Sequence, residues 1–63
     1  MADPAELVEI DTRIALIRDN IRQLVEQAAA LSGAADESLI ADRISSQEAQ
    51  LAELLKQREA LAG

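Results

Sequence analysis

"ALSGAADESL", residues 30–39, lies between two long runs of helix-forming composition and decides the fold. Either one helix continues through this stretch, or the chain turns back on itself there. The apolar residues on its two sides distinguish these possibilities, because each side carries a stripe of its own.

The run before the stretch has a heptad repeat of aliphatic side chains. Its members are Leu7, Ile10, Ile14, Ile17, Ile21, Leu24, Ala28 and Leu31. A repeat kept through four heptads is typical of a helix that packs along another helix. Three residues predict where this helix begins: Asp3 as a cap, Pro4 at the first helical position and Glu6 three residues after the cap.

The run after the stretch has a second, weaker stripe. Its members are Ile40, Ile44, Leu51, Leu54 and Leu61, with Leu39 and Leu55 on the flanks and Gln47 and Arg58 in the same series. The two stripes would lie about 110° apart on one straight helix, since each residue turns by about 100°. A continuous coiled coil would therefore lose half of its apolar contacts.

The residues between the stripes supply a stop and a start. Gly33 after Ser32 is suited to the left-handed conformation that commonly follows a helix end. Asp36 or Ser38 is then placed to cap a second helix. We therefore expect the chain to fold back, which makes the two helices antiparallel neighbours.

The predicted fold is all-α: an antiparallel two-helix hairpin with helices over about 4–32 and 37–62. It forms a single helical-hairpin domain over 1–63, with the turn around 33–36. A two-helix pair leaves one side of its apolar seam exposed to solvent. A chain of 63 residues without cysteine or histidine also has no disulfide bond or zinc site to add stability. Pairing of two hairpins as a homodimeric four-helix bundle would cover the seam.

The expected dimer seam contains the aliphatic residues of both stripes. It consists of Leu7, Ile10, Ile14, Ile17, Ile21, Leu24, Leu31, Ile40, Ile44, Leu51, Leu54, Leu55 and Leu61. Gln47 is a candidate register residue, because a polar side chain in an apolar seam can select one alignment. The alternative is that Gln47 faces solvent. Arg58 is expected to snorkel toward Glu6, Glu9 or Asp11.

The composition leaves little for catalysis. The chain has no histidine, cysteine or aromatic residue and a single lysine, and its serines have no base partner. We therefore predict no enzymatic activity and no catalytic, cofactor-binding or metal-binding residues. The formal net charge of −6 disfavours nucleic acid and anionic membranes as partners.

The sequence also bears on location and on surface contacts. No apolar run approaches the roughly 20 residues that span a bilayer, and "MADPAELVEI" lacks the basic and apolar regions of a signal peptide, so a cytoplasmic protein is expected. Five arginines to one lysine and abundant alanine suggest a bacterial source. Leu16, off the stripe, and the basic pair Arg18 and Arg22 are candidate surface contacts, against the simpler interpretation of ordinary helix surface.

In length and inferred shape the chain resembles the Rop family of plasmid copy-control proteins, which are helical hairpins that dimerise and bind paired RNA loops. The resemblance implies an antiparallel four-helix bundle. The RNA-binding face of that family includes an exposed phenylalanine, and this chain has none. Its first helix offers Arg13, Asn20 and Gln23 interleaved with Asp19 and Glu26, so no functional residue is carried over.

Three hypotheses of function follow. The preferred one is a non-enzymatic, homodimeric protein–protein interaction or structural module whose partners are itself and another protein. The second is an RNA-binding regulator with Rop-like architecture. The third is a half-module whose open seam recruits a helix of a different protein.

Overall fold

A computed structural model of the chain describes residues 3–30 and 34–62. They form two α-helices, α1 over Pro4–Ala30 and α2 over Ala34–Ala62. The helices pack against each other along their length, and the start of α1 lies beside the end of α2. The predicted helical hairpin is thus confirmed at the level of the single chain.

Helix α1 begins as the sequence predicts. The Asp3 carboxylate accepts a hydrogen bond from the backbone N–H of Ala5 at 2.9 Å, and the Asp3 carbonyl accepts bonds from the N–H groups of Glu6 and Leu7. Asp3 is therefore the cap that satisfies free donors of the first turn. Pro4 occupies the first helical position, where the missing N–H costs nothing.

Helix α2 begins earlier than predicted. It starts at Ala34 rather than near residue 37, so 34–36 belong to the helix and not to a turn, and Ser38 lies inside the helix instead of capping it. The reason is local: alanine is the best helix former, and two alanines extend the helix toward its N-terminus. The predicted stop at Ser32 and Gly33, and the seam position Leu31, lie outside the described residues.

The best-packed part of the seam lies near the chain ends. Ile10, Ile14 and Leu54 are buried together. Three partly buried residues pack against this cluster: Ile17, Leu51 and Leu61. Because Ile14 meets Leu54 and Asp11 meets Arg58, residues of the two helices that face each other have numbers that sum to about 68–69.

The hairpin is a rod rather than a sphere. Its extents are 49 × 14 × 11 Å and its radius of gyration is 14.6 Å, against about 10–11 Å for a compact chain of this length. The accessible surface of 4644 Å² exceeds by about 700 Å² the area expected for a folded monomer of this size. Two helices in a single layer cannot enclose a core.

Candidate interaction surfaces

The predicted seam residues divide into four groups by exposure. Ile10, Ile14, Ile40 and Leu54 are buried. Seven residues are partly buried: Leu7, Ile17, Ile21, Leu24, Ile44, Leu51 and Leu61. Leu55 is exposed at 39%, and Leu31 lies outside the described residues. No side chain in the described part of the chain is fully buried, so the seam stays open to solvent along its edges.

One broad side of the rod carries every amide side chain of the protein. These are Asn20, Gln23, Gln27, Gln47, Gln50 and Gln57, and they line shallow grooves between the helices. We call this side the amide face. Charged residues interrupt the row of amides: Glu6, Glu9, Arg13, Arg43 and Glu53. On this side the seam is flanked by the residue that precedes each member of the two stripes, which gives 15 positions. Of these 15 positions, only Leu16, Ala30, Leu39 and Ala60 are apolar.

The opposite broad side carries small and aliphatic side chains. Here the seam is flanked by the residue that follows each member of the two stripes, which gives 14 described positions, and eight of them are apolar: Val8, Ala15, Val25, Ala29, Ala41, Ala52, Leu55 and Ala62. We call this side the alanine face. Its groove is lined by Ile14, Ala15 and Leu55, with Asp11, Arg18 and Arg58 at the edges. The helical repeat of 3.6 residues places the other members on the same side.

Gln47 lies in the seam beside Leu24, on the amide face. Its side chain is partly buried, and the Oε1 atom is buried without a hydrogen-bond donor among the residues that the structure describes. An unsatisfied buried oxygen costs about 1–3 kcal/mol. Gln47 is therefore a locally unfavourable residue within the isolated hairpin.

Arg58 forms a polar contact between the two helices. Its Nε donates a hydrogen bond to the Asp11 carboxylate, and both side chains are about half exposed. Of the partners expected from the sequence, the structure selects Asp11. The pair lies on the alanine face and keeps the guanidinium out of the apolar seam.

The three candidate surface contacts lie on different sides of the rod. Leu16, 61% exposed, borders the amide face, whereas Arg18 borders the alanine face. Arg22 is engaged by two carboxylates of its own helix, Asp19 at 2.7 Å and Glu26 at 2.9 Å. The structure therefore separates Leu16 from the two arginines.

The Arg22 contacts shift two pKa values. The hydrogen bond from Arg22, with a further one from Gln23, holds the pKa of the Asp19 carboxyl below its usual value. The same Asp19 hydrogen bond, together with the charges of Asp19 and Glu26, raises the pKa of Arg22. Arg22 is thus a paired cation on an exposed helix surface.

Helix α1 carries two ion pairs at i,i+4 spacing. Arg13 and Glu9 are 2.9 Å apart, and so are Arg22 and Glu26. The i,i+4 spacing of opposite charges is a recognisable signal for such pairs in the sequence.

The segregation of the amides was not predicted. Their spacing follows the same heptad as the apolar stripes, displaced to one side, so the signal is present in the sequence. It becomes visible only when the two helices are laid antiparallel and their flanking positions are compared.

Over 3–30 and 34–62 no three carboxylates come together to hold a metal ion. Within the same described ranges, neither helix has an apolar stretch that could cross a membrane. The grooves are open, and their linings are aliphatic, amide and charged groups that can pack and hydrogen-bond.

The chain matches no family model, and comparison with the curated proteins and with solved structures finds no significant match.

Proposed function

We propose that the protein is a non-enzymatic interaction module that acts as a homodimer of helical hairpins, forming a four-helix bundle. The observation that carries this proposal is the open seam. Its residues are aliphatic at nearly every position, yet among the seam residues that the structure describes only Ile10, Ile14, Ile40 and Leu54 are buried. Exposed apolar surface of this extent is typical of a face that another polypeptide covers.

The area supports a partner of comparable size. The excess of about 700 Å² over a compact monomer is close to the roughly 800 Å² that each partner buries in a standard protein interface. Only the apolar part of the covered area contributes favourably, at about 25 cal/mol per Å², and the entropy of association is subtracted from that contribution. A second hairpin supplies a matching seam without any further component.

The acidic surface supports a protein partner for the assembled bundle. The chain carries twelve acidic and six basic residues, so its average field repels nucleic acid and anionic lipid. The biological role is then to join or position proteins. We also propose that the module acts in the cytoplasm, in accordance with a sequence that has no cysteine to oxidise.

Native mass in solution tests the proposal. Multi-angle light scattering across micromolar concentrations should give twice the chain mass, with refractive index reporting concentration because the chain has no tryptophan or tyrosine. A helical monomer at every concentration would contradict the homodimer. It would favour instead the half-module whose seam recruits a helix of a different protein.

A further inference from the structure

The two broad sides of the rod differ enough to assign them different partners. The alanine face has eight apolar residues among its 14 described flanking positions, against four of 15 on the amide face. Three of the exposed large aliphatics, Val8, Val25 and Leu55, belong to the alanine face. The amide face carries the long polar side chains, including the amides and five charged groups.

We propose that the second copy of the chain docks on the alanine face and that the amide face stays outward. This inference rests on the proposed homodimer and specifies its interface. It places the Asp11–Arg58 pair, which lines the groove of the alanine face beside Leu55, within the dimer contact as an already paired polar group, and it leaves Gln47 on the outer side of each hairpin.

Side-chain size favours this arrangement. Alanines at flanking positions allow a second helix to approach closely, because interaxial distance is set by the side chains at the contact. The partner can then reach the partly buried seam residues that border this face, such as Ile21, Ile44 and Leu51. Docking on the amide face would instead bury Asn and Gln side chains, each of which needs new hydrogen bonds to offset its desolvation.

Charge also permits two copies to meet here. The alanine face carries Asp11, Glu48 and Glu59 together with Arg18, Arg22 and Arg58, so its formal charge is zero although the whole chain is at −6. An isologous contact brings the same patch together with itself, and this requires a patch that does not repel its copy. Two of the arginines already have carboxylate partners within the chain.

The alanine face is large enough to form a dimer interface. A rectangle of 49 by 14 Å spans about 700 Å², similar to the roughly 800 Å² per partner of a standard interface. The dimer contact therefore needs one whole broad side of the hairpin. The other side is left for the further protein partner.

Two matched variants test the assignment of the face. Leu55→Glu places a charge on the alanine face, and Leu16→Glu makes the same change on the amide face, at a residue more exposed than Leu55. Sedimentation velocity should show the dimer dissociation constant of Leu55→Glu raised by about tenfold or more, with that of Leu16→Glu within about twofold of wild type.

A second pair guards against loss of folding. Ala52→Glu lies on the alanine face, and its control Ala49→Glu lies on the outward side of the same helix. Alanine and glutamate both favour helix, so circular dichroism should stay helical in both, and only Ala52→Glu should weaken the dimer.

The outcomes separate this inference from the proposed function. If wild type dimerises but Leu55→Glu and Ala52→Glu do not weaken it selectively, the face assignment is wrong and the homodimer stands. If wild type is monomeric throughout, both proposals fail together.

Discussion

The half of the hairpin near the chain ends is packed differently from the half near the connection. Near the ends, Ile10 and Ile14 are buried against Leu54. Toward the connection Ile40 is buried, while Leu24 and Ile44 are only partly covered. Both halves obey the same heptad repeat, so the repeat alone does not determine how well a seam closes.

The difference comes from what α2 contributes. In the end half α2 supplies leucine at 51, 54 and 61, and these fill the space between the isoleucines of α1. In the connection half the corresponding position is Gln47, whose buried Oε1 has no donor among the described residues, and α1 contributes the small Ala28 in the same half, near Ile40. Local packing volume, rather than apolar periodicity, decides burial.

The largest effect should come from removing a core isoleucine. Ile14→Ala should lower the free energy of unfolding by about 2–4 kcal/mol, since the buried side-chain carbons beyond Cβ are removed and a cavity remains. Ile44→Ala, in the connection half, should cost about 1–2 kcal/mol because its side chain is already partly solvated. Urea denaturation followed by circular dichroism, at one fixed chain concentration, measures both.

Equal costs for the two variants would show that the halves are equally packed. The Ile14→Val variant serves as a milder control, with an expected cost of about 0.5–1.5 kcal/mol.

A smaller effect of opposite sign is expected at Gln47. Gln47→Leu should raise the free energy of unfolding by about 1–2 kcal/mol, because it removes an unsatisfied buried oxygen and extends the apolar seam. The matched control is Gln50→Leu, an exposed amide on the same face, which should change stability by less than about 0.5 kcal/mol. Thermal melts of wild type, Gln47→Leu and Gln50→Leu at equal concentration measure these differences in stability.

If Gln47→Leu were neutral or destabilising, the Oε1 atom would have a partner in solution. The connection half would then be held by a polar contact, and the contrast between the halves would be smaller than the single chain implies.

The smallest effect concerns pH. Because Arg22 lowers the pKa of Asp19 in the folded chain, the Asp19 carboxylate stabilises the fold above its unfolded pKa of about 3.9, and this stabilisation is lost as pH falls through the lower folded value. Carboxyl NMR titration should therefore find Asp19 titrating below a reference aspartate in the unfolded chain.

Asp19→Asn should remove that part of the acid dependence of stability while leaving the seam unchanged. A titration of Asp19 at or above the ordinary value would contradict the Arg22 contact. Both side chains are exposed to solvent, so salt should weaken the pair.

The apolar stripes were sufficient to predict the hairpin, because a phase break between Leu31 and Ile40 leaves a continuous helix with no coherent face. They were not sufficient to rank the seam residues, since Ile14 and Ile17 look alike in the sequence and differ in burial through their neighbours on α2. The start of α2 was missed because helix propensity at Ala34 outweighed the capping signal of Ser38.

The candidate surfaces were less accessible to prediction. Arg58 had several acidic residues within reach, and only the relative rotation of the helices selects Asp11. The burial of one Gln47 atom likewise depends on that rotation. The segregation of amides from alanines required the antiparallel alignment before it could be recognised.

The lack of any fully buried side chain in the described residues has a consequence for hydrogen exchange. Amide protons exchange through local openings whose free energies follow the density of packing, so α2 near Ile44 and Gln47 should exchange well before the segment around Leu54. If a second hairpin covers the seam, this gradient should flatten as protein concentration rises. Deuterium uptake would then report assembly in a protein that has no aromatic chromophore.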